Sequence, residues 1–290
     1  MDKPAIALIG AGRLGTSLIL ALSQKGYKIT GVADSDLPSA QAAAQAVQCS
    51  ISTADPAAAA KEADFIIISV PDSQIKPVAE VLAAKQAFKK GQIFCHSSGY
   101  LPASALVSLK LFGAYTISMH PFVSISRKDQ PQRLAGAYFA LEGDAVGLES
   151  AKEVVSALDG FPVIIKAQDK PLYHAAGAIA SNLAVSLLLS ARQLLQNAGI
   201  SGDESEQMLA AMQERLTRNI SEDGLDASLT GPIARGDADT VAGHLQALRA
   251  ADPALARVYA LLGAKILEAC KNGMGQNPYS QLEKLLKGQN

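Results

Sequence analysis

Short apolar runs alternate with alanine-rich stretches of helical period over the first half of the chain, and then the alternation stops. The runs fall at residues 5–9, 29–33, 51–52, 65–70, 92–95, 114–119, 136–141 and 161–165, with helical patterns at 39–47, 75–85, 101–111 and 148–158 among them. Strands alternating with helices in this way predict an α/β fold, a mostly parallel sheet of about eight strands with helices on both faces. The run at 65–70 is continuously apolar and is stopped by Pro71-Asp72, as suits a central strand buried on both sides. Asp55-Pro56 predicts a helix start, with Asp55 as the cap and Pro56 in the first helical position. After Lys166 no strand pattern remains. A long helix is predicted at 171–198, then helices at 203–220, 238–250, 253–271 and 278–286, punctuated by Gly199, Gly202, Gly224 and Gly231. A chain of 290 residues suits two domains. The expected division is an α/β domain over 1–167 and an all-α C-terminal domain over 168–290, with a hinge near Ala167-Gln168-Asp169.

The first strand runs into Gly10-Ala11-Gly12-Arg13-Leu14-Gly15, and the second ends at Asp34, nineteen residues after Gly15. Strand, glycine turn, helix, strand and acidic residue make a dinucleotide-binding unit. Gly10 allows the tight turn, Gly12 lets a pyrophosphate approach the backbone, and Gly15 lets the helix pack on the strand. The free N–H groups and dipole of the helix N-terminus face the anion. Gly10, Gly12, Arg13, Leu14, Gly15, Asp34, Ser35, Val70, Pro71 and Ser98 are therefore the expected cofactor contacts. Asp34 suits the ribose hydroxyls and favours NAD, while Ser35 and Arg13 remain available to the 2′-phosphate of NADP.

A nicotinamide enzyme adds to its cofactor a proton donor or acceptor and a clamp for the substrate. At about 100° per residue, Lys170, His174, Ala178 and Ser181 share one stripe of the long predicted helix, and Asn182 lies about 80° round from His174. An unperturbed imidazole titrates near neutrality, which makes His174 a candidate general acid or base; read without that stripe it is a packing or capping residue, and Lys170 a solvated helix-end charge. His120 ends a predicted strand and precedes Pro121, and His96, Ser97 and Ser98 end another, where substrate contacts gather or where a hydrogen-bonded turn would form. Catalytic candidates are thus His174, Lys170, His120 and Asn182, and substrate-binding candidates are His96, Ser97 and Arg235. Arg235 sits among turn formers, Thr230 to Asp237, and either captures an anion or pairs with Asp237 as the latter caps the next helix. No spacing of His, Cys, Asp and Glu suggests a metal site.

Composition narrows this further. A formal charge of −1 with evenly spread Lys and Arg gives no basic face for nucleic acid or anionic membrane. Cys49, Cys95 and Cys270 are odd in number and far apart, which fits reduced thiols and a cytoplasmic protein. Residues 175–191 carry no charge, but seventeen residues with Ser181, Asn182, Ser186 and Ser190 are short for a bilayer, so a helix buried between other helices is expected.

Taken together, Gly10-Ala11-Gly12-Arg13-Leu14-Gly15, Ser69-Val70-Pro71-Asp72, Cys95-His96-Ser97-Ser98-Gly99, Met119-His120-Pro121, Tyr173-His174-Ala175-Ala176 with Asn182, and Leu229-Thr230-Gly231-Pro232-Ile233-Ala234-Arg235-Gly236-Asp237 resemble the Rossmann-like proteins bearing domain of unknown function 2520. That family is similar to the superfamily of pyrroline-5-carboxylate reductase, prephenate dehydrogenase, ketopantoate reductase, 6-phosphogluconate dehydrogenase and deazaflavin-dependent NADP oxidoreductases. The resemblance implies an N-terminal Rossmann domain, a helical substrate and dimerisation domain, NAD(P) chemistry and a homodimer. The β-hydroxyacid dehydrogenases of that superfamily place an asparagine four residues after a catalytic lysine. Here His174 stands at that spacing from Lys170, and Ala178 at that spacing from His174, so their mechanism does not carry over. The expected function is an NAD(P)-dependent oxidoreductase moving a hydride to or from a small polar, acidic C–O or C–N substrate. The alternative is a non-catalytic dinucleotide-binding regulator, which would not need the polar stripe of Lys170, His174 and Asn182.

Overall fold

The computed structural model describes residues 3–86 and 88–288. Eight strands, β1 (Ile6–Ile9), β2 (Ile29–Ala33), β3 (Ser52–Thr53), β4 (Phe65–Ile68), β5 (Ile93–His96), β6 (Tyr115–Pro121), β7 (Tyr138–Gly143) and β8 (Phe161–Ile164), form one sheet in the order β3-β2-β1-β4-β5-β6-β7-β8. All neighbours are parallel except β6 and β7, where His120 stands opposite Ala140. The order reverses between β2-β1 and β4, which leaves a crevice at the carboxyl ends of β1 and β4.

Alternation of side chains decides which helix each strand meets. On one face Ile6, Leu8, Phe65 and Ile67 pack with Leu18, Ile19 and Leu22 of α1 (Arg13–Gln24), Ala40, Ala43 and Ala44 of α2 (Leu37–Ala46), and Val154 and Val155 of α6 (Ala145–Ala157). On the other, Ala7, Ile9, Ile66 and Ile68 meet the alanines of α3 (Pro56–Ala60), Ile75, Ala79 and Leu82 of α4 (Asp72–Lys85), and Leu109 of α5 (Val107–Lys110). All four residues of β4 are fully buried, and each such side chain contributes roughly 1.5–3 kcal/mol. Asp55 caps α3 by accepting from Ala57 N–H at 3.0 Å. β8 forms the sheet's edge with Phe161, Val163 and Ile164 exposed.

The chain divides into two compact units, Met1–Asn182 and Leu183–Asn290. The first retains α7 (Lys170–Ala178) beyond the last strand. Between α7 and α8 (Ala184–Asn197) the long predicted helix passes through one π turn, Ile179–Leu183. The second unit adds α9 (Gly202–Asp223), packed on α8, and α10 (Gly231–Arg235), α11 (Ala238–Ala251), α12 (Pro253–Ala269) and α13 (Gln276–Lys287) around Ile233, Val241, Leu245, Leu267, Leu282 and Leu286.

Three sequence expectations change. The segment at 101–111 is a 3₁₀ turn, Ala103–Leu106, followed by the single turn of α5. The glycine-rich cluster at 230–237 contains α10, ended by Gly236 in the left-handed region at φ +78. The expectation that 175–191 is a buried helix is overturned. Ala167–Asn197 is long and apolar enough to cross a membrane by length and composition, and none of its apolar window is buried. The chain's own elements cover too little of it: Ile179, Leu183, Val185 and Leu189 are each more than half exposed.

Candidate active site

At the end of β1, Gly10 takes φ +99, and a Cβ there would stand 2.4 Å from Ser69 O. A Cβ on Gly15 would stand 2.2 Å from Gly10 O, so that glycine permits α1 to approach the turn. Gly12 differs: a Cβ would meet nothing within 4 Å. Open space over a backbone that needs no side chain suits close approach of a phosphate. Gly12 is also the N-cap of α1 and offers no side-chain cap, so the N–H groups of Arg13 and Leu14 are left for an anion. A dinucleotide fits these residues. Beside the turn, a cavity of about 180 Å³ is lined by Gly10, Asp34, Ser35, Val70 and Pro71, with Ala54, Pro56 and Gln74.

Asp34 accepts from Ala11 N–H at 2.7 Å with one carboxylate oxygen and from Asp36 N–H at 2.8 Å with the other. It therefore shapes the turn. Read in the sequence as a ribose acceptor favouring NAD, it gives that preference no support once both oxygens serve the main chain.

The carboxyl ends of β5 and β6 carry the second half of the site. Ser98 is its hub. Its N–H donates to His96 Nδ1 at 3.2 Å, its Oγ accepts from Tyr100 and Leu101 N–H at 3.1 and 2.9 Å, and its carbonyl accepts from Lys170 Nζ at 3.0 Å and Ser118 Oγ at 3.2 Å. His96 donates from Nε2 to Pro102 O at 3.0 Å. With both nitrogens on main-chain groups, His96 holds this turn rather than presenting a face to a substrate. Burial lowers its pKa to about 4. Ser97 is likewise turned inward, its hydroxyl 3.1 Å from Ser69 Oγ.

Lys170 is completely buried at the start of α7, and besides the Ser98 carbonyl its ammonium donates to Ser118 Oγ at 2.7 Å. Burial pulls its pKa down, opposed in part by the charge of Glu142. It sits beneath the Ser98-Gly99 turn and does not face the same space as His174, which corrects the shared stripe expected from helical spacing. The reason is the length of the lysine stem, which reaches inward past the helix to two oxygen acceptors.

His120 and His174 do meet. Their rings lie 6.0 Å apart, edge to face. Gly99 lies against both: a Cβ there would stand 2.8 Å from His174 Cδ2 and 2.9 Å from His120 Nε2. The Tyr173 hydroxyl is 2.8 Å from His120 Nδ1. Burial first, then the nearby charge of Lys170, lowers the His120 pKa to about 4, and burial raises that of Tyr173 to about 12. Both groups are thus neutral at pH 7. The Tyr173 hydroxyl also donates to the His120 carbonyl at 3.4 Å, so the phenol holds the Nδ1 side of the ring while Nε2 lies beside Gly99.

A cavity of about 660 Å³ opens here, lined by His120, Phe122, Val123, Ser124, His174, Gly177, Ala178, Ala180, Ser181 and Asn182. A regular helix would turn Asn182 well away from His174. The π turn winds through fewer degrees per residue than an α turn, and both residues line the cavity. Tyr173, Gly99 and Ser118 receive no role of their own from the sequence. Tyr173 adjoins His174 in the chain, but its partner His120 is 53 residues away, and no local pattern announces that pairing. Arg235 ends α10 in the second unit, and Asp237 caps α11 by accepting from Thr240 N–H at 3.1 Å.

A glycine turn closing the first strand of a sheet in this order defines a Rossmann-like fold. Residues 2–121 match the Rossmann-like domain family and residues 137–266 match the domain of unknown function DUF2520. No curated protein matches the sequence. Among solved structures, a protein of Thermotoga maritima is 24% identical, with TM-score 0.73 over 93% of this chain and 99% of its own. The pyrroline-5-carboxylate reductase of Coxiella burnetii is 15% identical, with TM-score 0.60 over 98% and 99%. The reductive aminase of Aspergillus terreus, in complex with NADPH and ethyl-5-oxohexanoate, is 16% identical, with TM-score 0.60 over 99% and 93%. Each supports the fold.

Proposed function

We propose that this protein is an NAD(P)-dependent oxidoreductase acting on a small polar C–O or C–N centre. The observation that carries this reading is the placement of the glycine turn and the His120–His174 pair at the carboxyl edge of one sheet, the edge at which β1, β5 and β6 all end. The Coxiella protein's name as a reductase and the NADPH held by the Aspergillus protein point the same way. They support NAD(P) and do not favour NAD.

When bound, the dinucleotide supplies or accepts the hydride. The chain's own residues bind, orient and move a proton. The turn at Gly10 to Gly15 holds the pyrophosphate. His120 stays neutral and presents Nε2 beside Gly99 to orient the reacting group. His174, exposed to the cavity, serves as proton donor or acceptor. Lys170 fixes the turn that carries Gly99 and places its charge behind it. Ser124, Ser181 and Asn182 supply further polar contacts. This lining holds no Lys or Arg, so it offers a substrate carboxylate hydrogen bonds and no counter-charge of its own. The exposed apolar residues of α8 and α9 are assigned to a homodimer.

The test is a titration with NADH, NADPH, NAD⁺ and NADP⁺, followed by a panel of imines and carbonyl acids monitored by cofactor absorbance. We expect binding, turnover of at least one C=N or C=O compound, and a loss of about 10²–10⁴ in kcat for His174→Ala. Binding without turnover anywhere in the panel would favour a regulator. Failure to bind any of the four forms would defeat both readings.

A further inference from the structure

The excursion between β6 and β7 returns over α1, where the carbonyl of Lys128 accepts from Ser17 Oγ at 3.2 Å. From there the Lys128 side chain reaches the first turn of α2, and its ammonium donates to Ser39 Oγ at 2.9 Å. Ser39 in turn donates to the Asp36 carboxylate at 2.6 Å, and Asp36 N–H donates to Asp34. A continuous line of hydrogen bonds thus joins Lys128 to the residues that shape the glycine turn, although it comes from a distant part of the sheet.

The charges along this line are unevenly committed. Both oxygens of Asp34 serve main-chain N–H groups, and Asp36 caps α2. Lys128 is not tied in this way: among the described residues neither it nor Arg13, one turn before Ser17 on α1, forms an ion pair with a carboxylate. Lys128 rests on a neutral hydroxyl, and Arg13, the first residue of α1, is exposed. A dianionic phosphate brought to the first turn of α2 would meet the Lys128 ammonium on Ser39, with both oxygens of Asp34 already turned to the backbone.

We infer that Lys128 is a specificity-determining residue that favours a 2′-phosphorylated dinucleotide, NADP(H), over NAD(H), with Arg13 as the second cation. The inference rests on the cofactor reading above and assigns a role to the excursion loop that the Rossmann unit alone does not supply. The phosphate would take over the contact that Lys128 now makes with Ser39.

The test uses the full chain and fragments that need no turnover: calorimetric titration with 2′,5′-ADP and with 5′-AMP, alongside NADPH and NADH, for wild type, Lys128→Ala and Lys128→Glu. Wild type binds 2′,5′-ADP more tightly than 5′-AMP. Lys128→Ala weakens 2′,5′-ADP and NADPH about five- to tenfold, as expected for one exposed charge-assisted contact. It leaves 5′-AMP and NADH unchanged, and Lys128→Glu enlarges the difference. Equal weakening of both fragments, no weakening of either, or a wild-type preference for 5′-AMP overturns the proposal. If NADH binds while 2′,5′-ADP is ignored, the cofactor reading stands and this inference alone falls. If nothing binds, both fall together.

Discussion

His96 and His120 are neutral for one physical reason and use it differently. Burial makes the charged ring expensive in both, but His96 has both nitrogens occupied, whereas His120 keeps Nε2 beside Gly99. The same burial makes stability depend on pH. Each ring has a folded pKa of about 4, below the 6.5 of an unconstrained histidine. As pH falls, the unfolded chain takes up protons first, so stability is full above pH 6.5 and drains away towards pH 4, by at most about 3 kcal/mol for each ring. Urea unfolding at pH 7.5 and pH 4.5 should show this loss, and the double substitution His96→Asn and His120→Asn should flatten it. An unchanged difference between the two pH values in the double variant would show that other groups cause it.

At the scale of single elements, the three glycines of the first turn separate fold from ligand. Gly15→Ala drives a Cβ into the Gly10 carbonyl and is expected to cost several kcal/mol, with a large drop in melting temperature. Gly12→Ala meets open space and keeps an ordinary backbone, φ −73, so it should fold with a cost of about 1 kcal/mol or less from the altered helix cap. Its dinucleotide affinity should nevertheless fall at least tenfold, because the methyl group stands where the phosphate approaches. A melting temperature and a titration on each variant decide this, and a Gly12→Ala protein with intact affinity would remove Gly12 from the site. The strands, the glycine turn and the Asp55-Pro56 helix start were legible because their causes are local: apolar alternation, residue spacing and a cap. The Ser98 hub was not, because it is completed by Lys170, 72 residues away. Nor was the π turn, since Ile179-Ala180-Ser181-Asn182-Leu183 contains no glycine or proline to mark it. His120 and His174 were each readable as candidates at element ends. Their meeting over Gly99 required the folded sheet.

Over the whole molecule, apolar surface is the feature that one copy of the chain leaves unresolved. Leu183, Val185 and Leu189 on the long helix, and Met208 and Met212 on α9, are each more than half exposed. Surface of this kind marks an interface. Light scattering coupled to size exclusion is expected to report a dimer at micromolar concentration, and Val185→Glu with Leu189→Glu to shift it towards monomer. A wild-type monomer across the accessible concentration range would dispose of the homodimer.

The glycine turn also bears on how any ligand would be received. Asp34 fastens Ala11 and Asp36 with its two oxygens, so the shape of the loop is set by the chain's own hydrogen bonds. Its conformational entropy was surrendered when the chain folded. A phosphate arriving there has no segment to order, and the affinity that the turn provides is not diluted by preorganisation still to be done.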